Sequence, residues 1–181
     1  MKRTSLVLLS ALTLLSAACG GSTGPSADTT EGPKAFEVVT PGDELPDAEL
    51  ELLGESGTVN TAEWIGKPTI INFWATWCAF CIDEMPDLEA AHQALGGDVR
   101  FVGVDREDPN IEQALELAQE TGVTYELVRD PDASYFRAVK GRGMPLTVLV
   151  DENGIIQFRH NGPLTEQQLL DLVDEHLGIS G

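Results

Sequence analysis

The feature that most restricts what this chain can fold into is a cysteine pair, Cys78-Ala79-Phe80-Cys81, set between two kinds of periodicity. Before it runs Thr69-Ile70-Ile71-Asn72-Phe73-Trp74, an apolar stretch of the length and composition of a central strand. After it comes a helix-like stretch to about Leu95, closed by Gly96-Gly97. Cysteines at i and i+3 in a first helical turn lie close enough to bridge. The helix N-terminus favours a thiolate, because unpaired backbone N–H groups and the helix dipole stabilise negative charge there. Cys78 is therefore the expected attacking sulfur.

Two other readings of the pair weaken on inspection. A zinc site needs four ligands, or three and a water, and the chain offers no second cysteine pair and only His92, His160 and His176, widely spaced. No metal is expected. A purely structural disulfide closing so short a loop would remove little unfolded-state entropy.

The third cysteine, Cys19, has its own context. Lys2 and Arg3 precede an apolar run from Leu6 to Ala18, which reads as a signal sequence over residues 1–18, too short for a comfortable membrane span. Ser16-Ala17-Ala18 directly precede Cys19 and Gly20-Gly21 follow it. That resembles a bacterial lipobox with Cys19 as the lipidated residue, although Leu15 stands one place too early. Ordinary cleavage nearby is the alternative. Residues 19–35 are rich in Gly, Ser, Thr and Pro and read as a flexible tether. A coil of about 15 such residues spans roughly 20 Å. The expected location is the outer face of the cell membrane, anchored by lipid at Cys19, with a secreted or periplasmic soluble protein as the alternative.

Residues 36–181 suit a single domain. With 30 Asp and Glu against 11 Lys and Arg, the net charge is −19. No basic cluster appears, which argues against nucleic acid as a partner. Ala48 to Leu53 alternates as a strand and Thr58-Val59-Asn60 returns from a Gly-containing turn. Pro86 inside the helix after the cysteines predicts a kink or break. Val99 to Val104 is a strand, and Pro109 is placed to open the next helix at its first position. Tyr125 to Val128 reads as a strand and Ala133 to Lys140 as a short helix. Leu146 to Val150 and Ile155 to Arg159 flank Asp151-Glu152-Asn153-Gly154, a strong hairpin signal. Thr165 to Leu177 closes the chain as an amphipathic helix. Alternating strands and helices followed by a hairpin predict a mixed sheet with helices on both faces.

The stretch Asn72-Phe73-Trp74-Ala75-Thr76-Trp77-Cys78-x-x-Cys81, then Glu84-Met85-Pro86, then Gly143-Met144-Pro145 before a strand, resembles the TlpA/ResA-like group of extracytoplasmic thioredoxin-fold proteins. The likeness covers about Pro41 to Leu177. It implies an α/β thioredoxin-like fold: a central mixed β-sheet flanked by helices, with an N-terminal β-hairpin and a central αβ insertion. It also implies a thiol-disulfide oxidoreductase that acts on disulfide-containing exported proteins, most simply as a reductase fed by a membrane thiol carrier, with apocytochrome c maturation as one use. No cofactor is implied, and a monomer is expected. In this mechanism Cys78 forms a mixed disulfide and Cys81 resolves it. Trp77 offers a flat apolar surface for docking. The resemblance makes Met144–Pro145 a cis peptide beside the disulfide, with the Met144 backbone free to pair with a substrate strand. Where thioredoxin has a buried aspartate this chain has Asn72, and the group's substitute for proton handling is Glu84. Many relatives carry proline before the second cysteine and this chain has Phe80, which bears on redox poise.

Two other classes compete. Peroxiredoxin-like peroxidases usually carry Thr three residues before the reactive cysteine, where this chain has Ala75. Copper-binding chaperones of this fold use Cys-x-x-x-Cys, one residue longer than the spacing here.

Overall fold

The computed structural model of the protein describes residues 42–181; the expected signal sequence, Cys19 and the tether lie outside them. Two strands open the described chain, β1 (Glu49–Leu52) and β2 (Thr58–Asn60). Strand β3 (Thr69–Trp74), helix α1 (Ala79–Leu95), β4 (Arg100–Arg106), α2 (Ile111–Thr121), β5 (Glu126–Asp130) and α3 (Ser134–Ala138) follow. The chain closes with β6 (Leu146–Val150), β7 (Ile156–Asn161) and α4 (Glu166–Leu177). The sheet order is β2-β1-β5-β4-β3-β6-β7. Strands β3, β4 and β5 run parallel, while β6, β7, β1 and β2 join antiparallel to their neighbours. The mixed sheet and the N-terminal hairpin thus stand as expected, and α2–β5 is the inserted αβ unit.

Alternation along β3 decides what meets what. Ile71 and Phe73 face one core, with Trp64, Tyr135 and Phe136. Ile70 and Trp74 face the other side, against residues of α1, α2 and α4. Because the strand period is two, Asn72 points to the same side as Ile70 and Trp74, toward α1. Phe73 is fully buried, with its ring 5.8 Å from that of Tyr135 and 5.3 Å from that of Phe136. Phe73→Ala is expected to cost about 3–5 kcal/mol, read as a lower urea midpoint at unchanged slope. A loss below about 1 kcal/mol would mean the site collapses around the gap.

Two local expectations are corrected: the break at Pro86 and the helix start at Pro109. Helix α1 runs unbroken through Pro86. Proline removes one intrahelical donor, but buried Met85, Leu88 and Ala91 hold the helix to the core on both sides of it. Helix α2 starts at Ile111, and Asn110, not Pro109, sets its beginning: the Asn110 side chain accepts from the Gln113 amide at 3.2 Å. At α4 a capping box between Thr165 and Gln168 fixes the start. Among the described residues no helix is long and apolar enough to cross a membrane.

Candidate active site

Cys78 is the N-cap of α1 and Cys81 lies in its first turn, joined by a disulfide with a Cα–Cα distance of 5.3 Å. The strand-to-helix turn is closed by the Cys78 amide donating to the Ala75 carbonyl at 3.0 Å. No acidic residue stands in the first turn of α1 to oppose a thiolate. The two cysteines differ in access: Cys78 is 8 % exposed and Cys81 is wholly buried. Cys78 is thus the more accessible of the two sulfurs.

Two large apolar side chains rise beside the pair. Trp77 is 57 % exposed and Phe80 is 64 % exposed, an apolar surface suited to docking. The Met144–Pro145 bond is cis. Met144 packs against the cluster formed by Trp74, Ala75, Cys78 and Cys81. Arg106, at the end of β4, joins the two sides of this face. One of its nitrogens lies 3.3 Å from Met144 Sδ, and its guanidinium stands 6.0 Å from the centre of the Trp77 ring and 4.3 Å from that of Phe136.

Glu84 lies three residues beyond Cys81 on α1, on a neighbouring position of the helix surface. It is 2 % exposed. The Asn72 side-chain amide donates to Oε1 at 2.8 Å and the Leu164 backbone amide to Oε2 at 2.9 Å. Asn72 also donates to Thr147 Oγ1 at 3.3 Å. Burial pushes the Glu84 carboxyl up to about 7, and the charge of Asp87 adds to this; the two donors pull the other way. A groove of about 370 Å³ lined by Phe80, Asp83, Glu84 and Leu164 gives water a way to it. A buried carboxyl balanced near neutrality beside a dithiol can take up or release a proton at physiological pH.

Sequence reasoning did not find Arg106, nor the buried acidic residues Asp105 and Asp108. Asp105 is 1 % exposed and Asp108 4 % exposed, under the loop between β3 and α1. A signal was present: Asp105 ends the apolar run Phe101-Val102-Gly103-Val104, and a carboxylate on a central strand is costly unless it has a partner. His92 lies apart from these groups, with its ring 5.0 Å from Phe101 and 5.9 Å from Tyr125.

The Redoxin family model matches residues 40–173. The thiol:disulfide interchange protein DsbE of Escherichia coli (strain K12) is 34% identical over 169 residues, 91% of this chain and 88% of that protein. The thioredoxin-like protein YneN of Bacillus subtilis (strain 168) is 30% identical over 139 residues, 74% of this chain and 78% of its own length. Among solved structures, a DsbF homologue from Corynebacterium diphtheriae superposes with a TM-score of 0.68 at 23% identity, covering 82% of this chain and 96% of that one. At that identity the likeness speaks for the fold alone, which is thioredoxin-like.

Proposed function

The chain belongs to the Redoxin family as a DsbE/ResA-like thiol-disulfide oxidoreductase, and from that membership we propose the sulfur roles, the direction and the place of its reaction. Reduced Cys78 attacks one sulfur of a partner disulfide, and the partner's other sulfur leaves as a thiolate. Cys81, as thiolate, then attacks Cys78 Sγ and releases the second partner thiol. The Cys78–Cys81 disulfide remains, and two electrons have passed to the partner. Glu84 accepts the proton that Cys81 gives up. Trp77 and the Met144–Pro145 loop hold the partner chain. The observation that carries this reading is the asymmetry of the pair, with Cys78 reachable at the helix mouth and Cys81 buried near a carboxyl balanced at about 7.

The reaction belongs outside the cytoplasm, on exported proteins. Residues 1–18 direct export, Cys19 carries lipid, residues 19–35 act as the tether, and residues 36–181 form the catalytic domain. In that setting disulfides form readily, so a tethered dithiol is most useful as a reductase recharged by a membrane thiol carrier. Exported disulfide proteins, apocytochrome c among them, are its substrates. The deciding measurement is the reduction potential of the Cys78–Cys81 couple by glutathione equilibration. A value near about −270 mV supports the reductase; one near about −120 mV would make the protein an oxidant.

A further inference from the structure

Thr76 sits in the turn between β3 and α1, two residues before Cys78, and is gripped from below. Its amide donates to Asp108 Oδ2 at 2.7 Å and its hydroxyl to Asp108 Oδ1 at 2.5 Å. Both carboxylate oxygens are thus spent on one residue of the loop that presents Trp77 and Cys78. Asp108 is in turn backed by Asp105. In the β3–β4 ladder Asp105 stands opposite Trp74, the last residue before that loop. Among the described residues neither Asp105 oxygen accepts a hydrogen bond. Arg129 Nε stands 3.5 Å away, and the Asp108 carboxyl faces it.

Two buried carboxyl groups in contact are stable only when they share a proton. Burial, then the hydrogen bond and charge of Asp108, push Asp105 up to about 8, against the pull of Arg129. At neutral pH Asp105 therefore keeps its proton. A carboxylate offers an oxygen to each of the two Thr76 donors, which a carboxamide cannot do. The other charged neighbours are Arg129 on β5, which also donates to the Asp108 carbonyl at 3.2 Å, and Glu51 on β1, 3.0 Å from the far side of that guanidinium. From the loop before α1 it is uncharged Thr76 that faces the pair.

We propose that Asp108 is a positioning residue for disulfide exchange: through its two hydrogen bonds it clamps Thr76 and so fixes where Trp77 and Cys78 stand against a partner. The proposal rests on Cys78 being the attacking sulfur. The clamp holds while Asp105 is protonated. Above about pH 8 Asp105 ionises behind the clamp, and the grip on the loop weakens.

The test uses the full-length reduced protein. Cys78 alkylation by iodoacetamide is followed from about pH 5 to pH 10, with kcat and KM for turnover of a small protein disulfide and a urea melt for each variant. Wild-type reactivity is expected to rise with thiolate formation and then fall above about pH 8. Asp105→Asn carries no ionisable group at that place, so its alkylation profile lacks the fall above about pH 8. Asp108→Asn is expected to lower kcat/KM about 10- to 100-fold through misplacement of the loop. Thr76→Val removes the hydroxyl and keeps the amide, and lowers it less. Thr76→Val also keeps the test decisive if Asp108→Asn unfolds. Wild-type turnover in both Asp108→Asn and Thr76→Val, or a high-pH fall that persists in Asp105→Asn, overturns the clamp. Turnover retained by Cys78→Ser would instead remove the sulfur assignment, and the clamp with it.

Discussion

Cys78→Ser is expected to abolish disulfide exchange, lowering turnover by at least about 10³-fold, the scale on which a catalytic unit fails when its nucleophile is removed. A serine hydroxyl is not ionised at neutral pH and cannot stand in for a thiolate. Cys81 cannot substitute, because it is wholly buried while Cys78 reaches the surface at the mouth of α1. Cys81→Ser should fail differently. Cys78 still attacks, but the resolving sulfur is gone, and the mixed disulfide with the partner persists instead of breaking down intramolecularly. Intact mass and non-reducing electrophoresis after mixing with a disulfide substrate separate the two outcomes. Trapping by Cys78→Ser, with none by Cys81→Ser, would reverse the roles of the two sulfurs.

Glu84→Gln is expected to slow resolution of that mixed disulfide about 10²-fold and to flatten its dependence on pH near 7, since a positioned acid–base group contributes on that scale. Stability carries a second signature. The Glu84 carboxyl titrates at about 7 in the folded protein against 4.5 when unperturbed. A raised folded value means that protonation favours the native state. The stabilisation is complete below about pH 4.5 and is lost as pH rises through about 7. The difference, 7 − 4.5 = 2.5 units, corresponds to about 3 kcal/mol. Wild type should therefore lose up to that amount between about pH 4.5 and pH 8 from this group, and Glu84→Gln should not. The glutamine has its own cost: its amide nitrogen cannot accept, so either Asn72 or Leu164 loses a buried acceptor, worth about 1–3 kcal/mol. Stopped-flow single turnovers and urea melts at pH 5 and pH 8 measure both effects. Unchanged resolution kinetics at neutral pH would remove Glu84 from the mechanism.

Much of the frame was legible from residue order. The apolar run of β3, the turn into Cys78, the Asn153-Gly154 hairpin and the Thr165 cap of α4 are each specified by neighbours a few places away. Departures arose where distant packing or a side-chain cap outranked a local rule. Pro86 should interrupt α1, but buried Met85, Leu88 and Ala91 hold the helix through it. Pro109 is a good first helical residue, but the Asn110 side chain caps the Gln113 amide and starts the helix later.

The site divides in the same way. The two cysteines and Trp77 were named from their order along the chain, and Met144, Pro145 and Glu84 from the family resemblance that the motifs carry. Arg106 and the Asp105–Asp108 pair were not, because their meaning lies in contacts between distant segments. Thr76 and Asp108 are 32 residues apart, and Glu84 and Leu164 are 80 apart. By itself the sequence determined that a dithiol would stand at the start of a helix, since strand period, helix period and cap chemistry are local properties of the backbone. Only the tertiary structure decided the protonation of the groups around it. The free energy of a carboxylate depends on the water it has lost and on the donors that replace that water, and at Glu84 and Asp105 those come from strands and loops far along the chain.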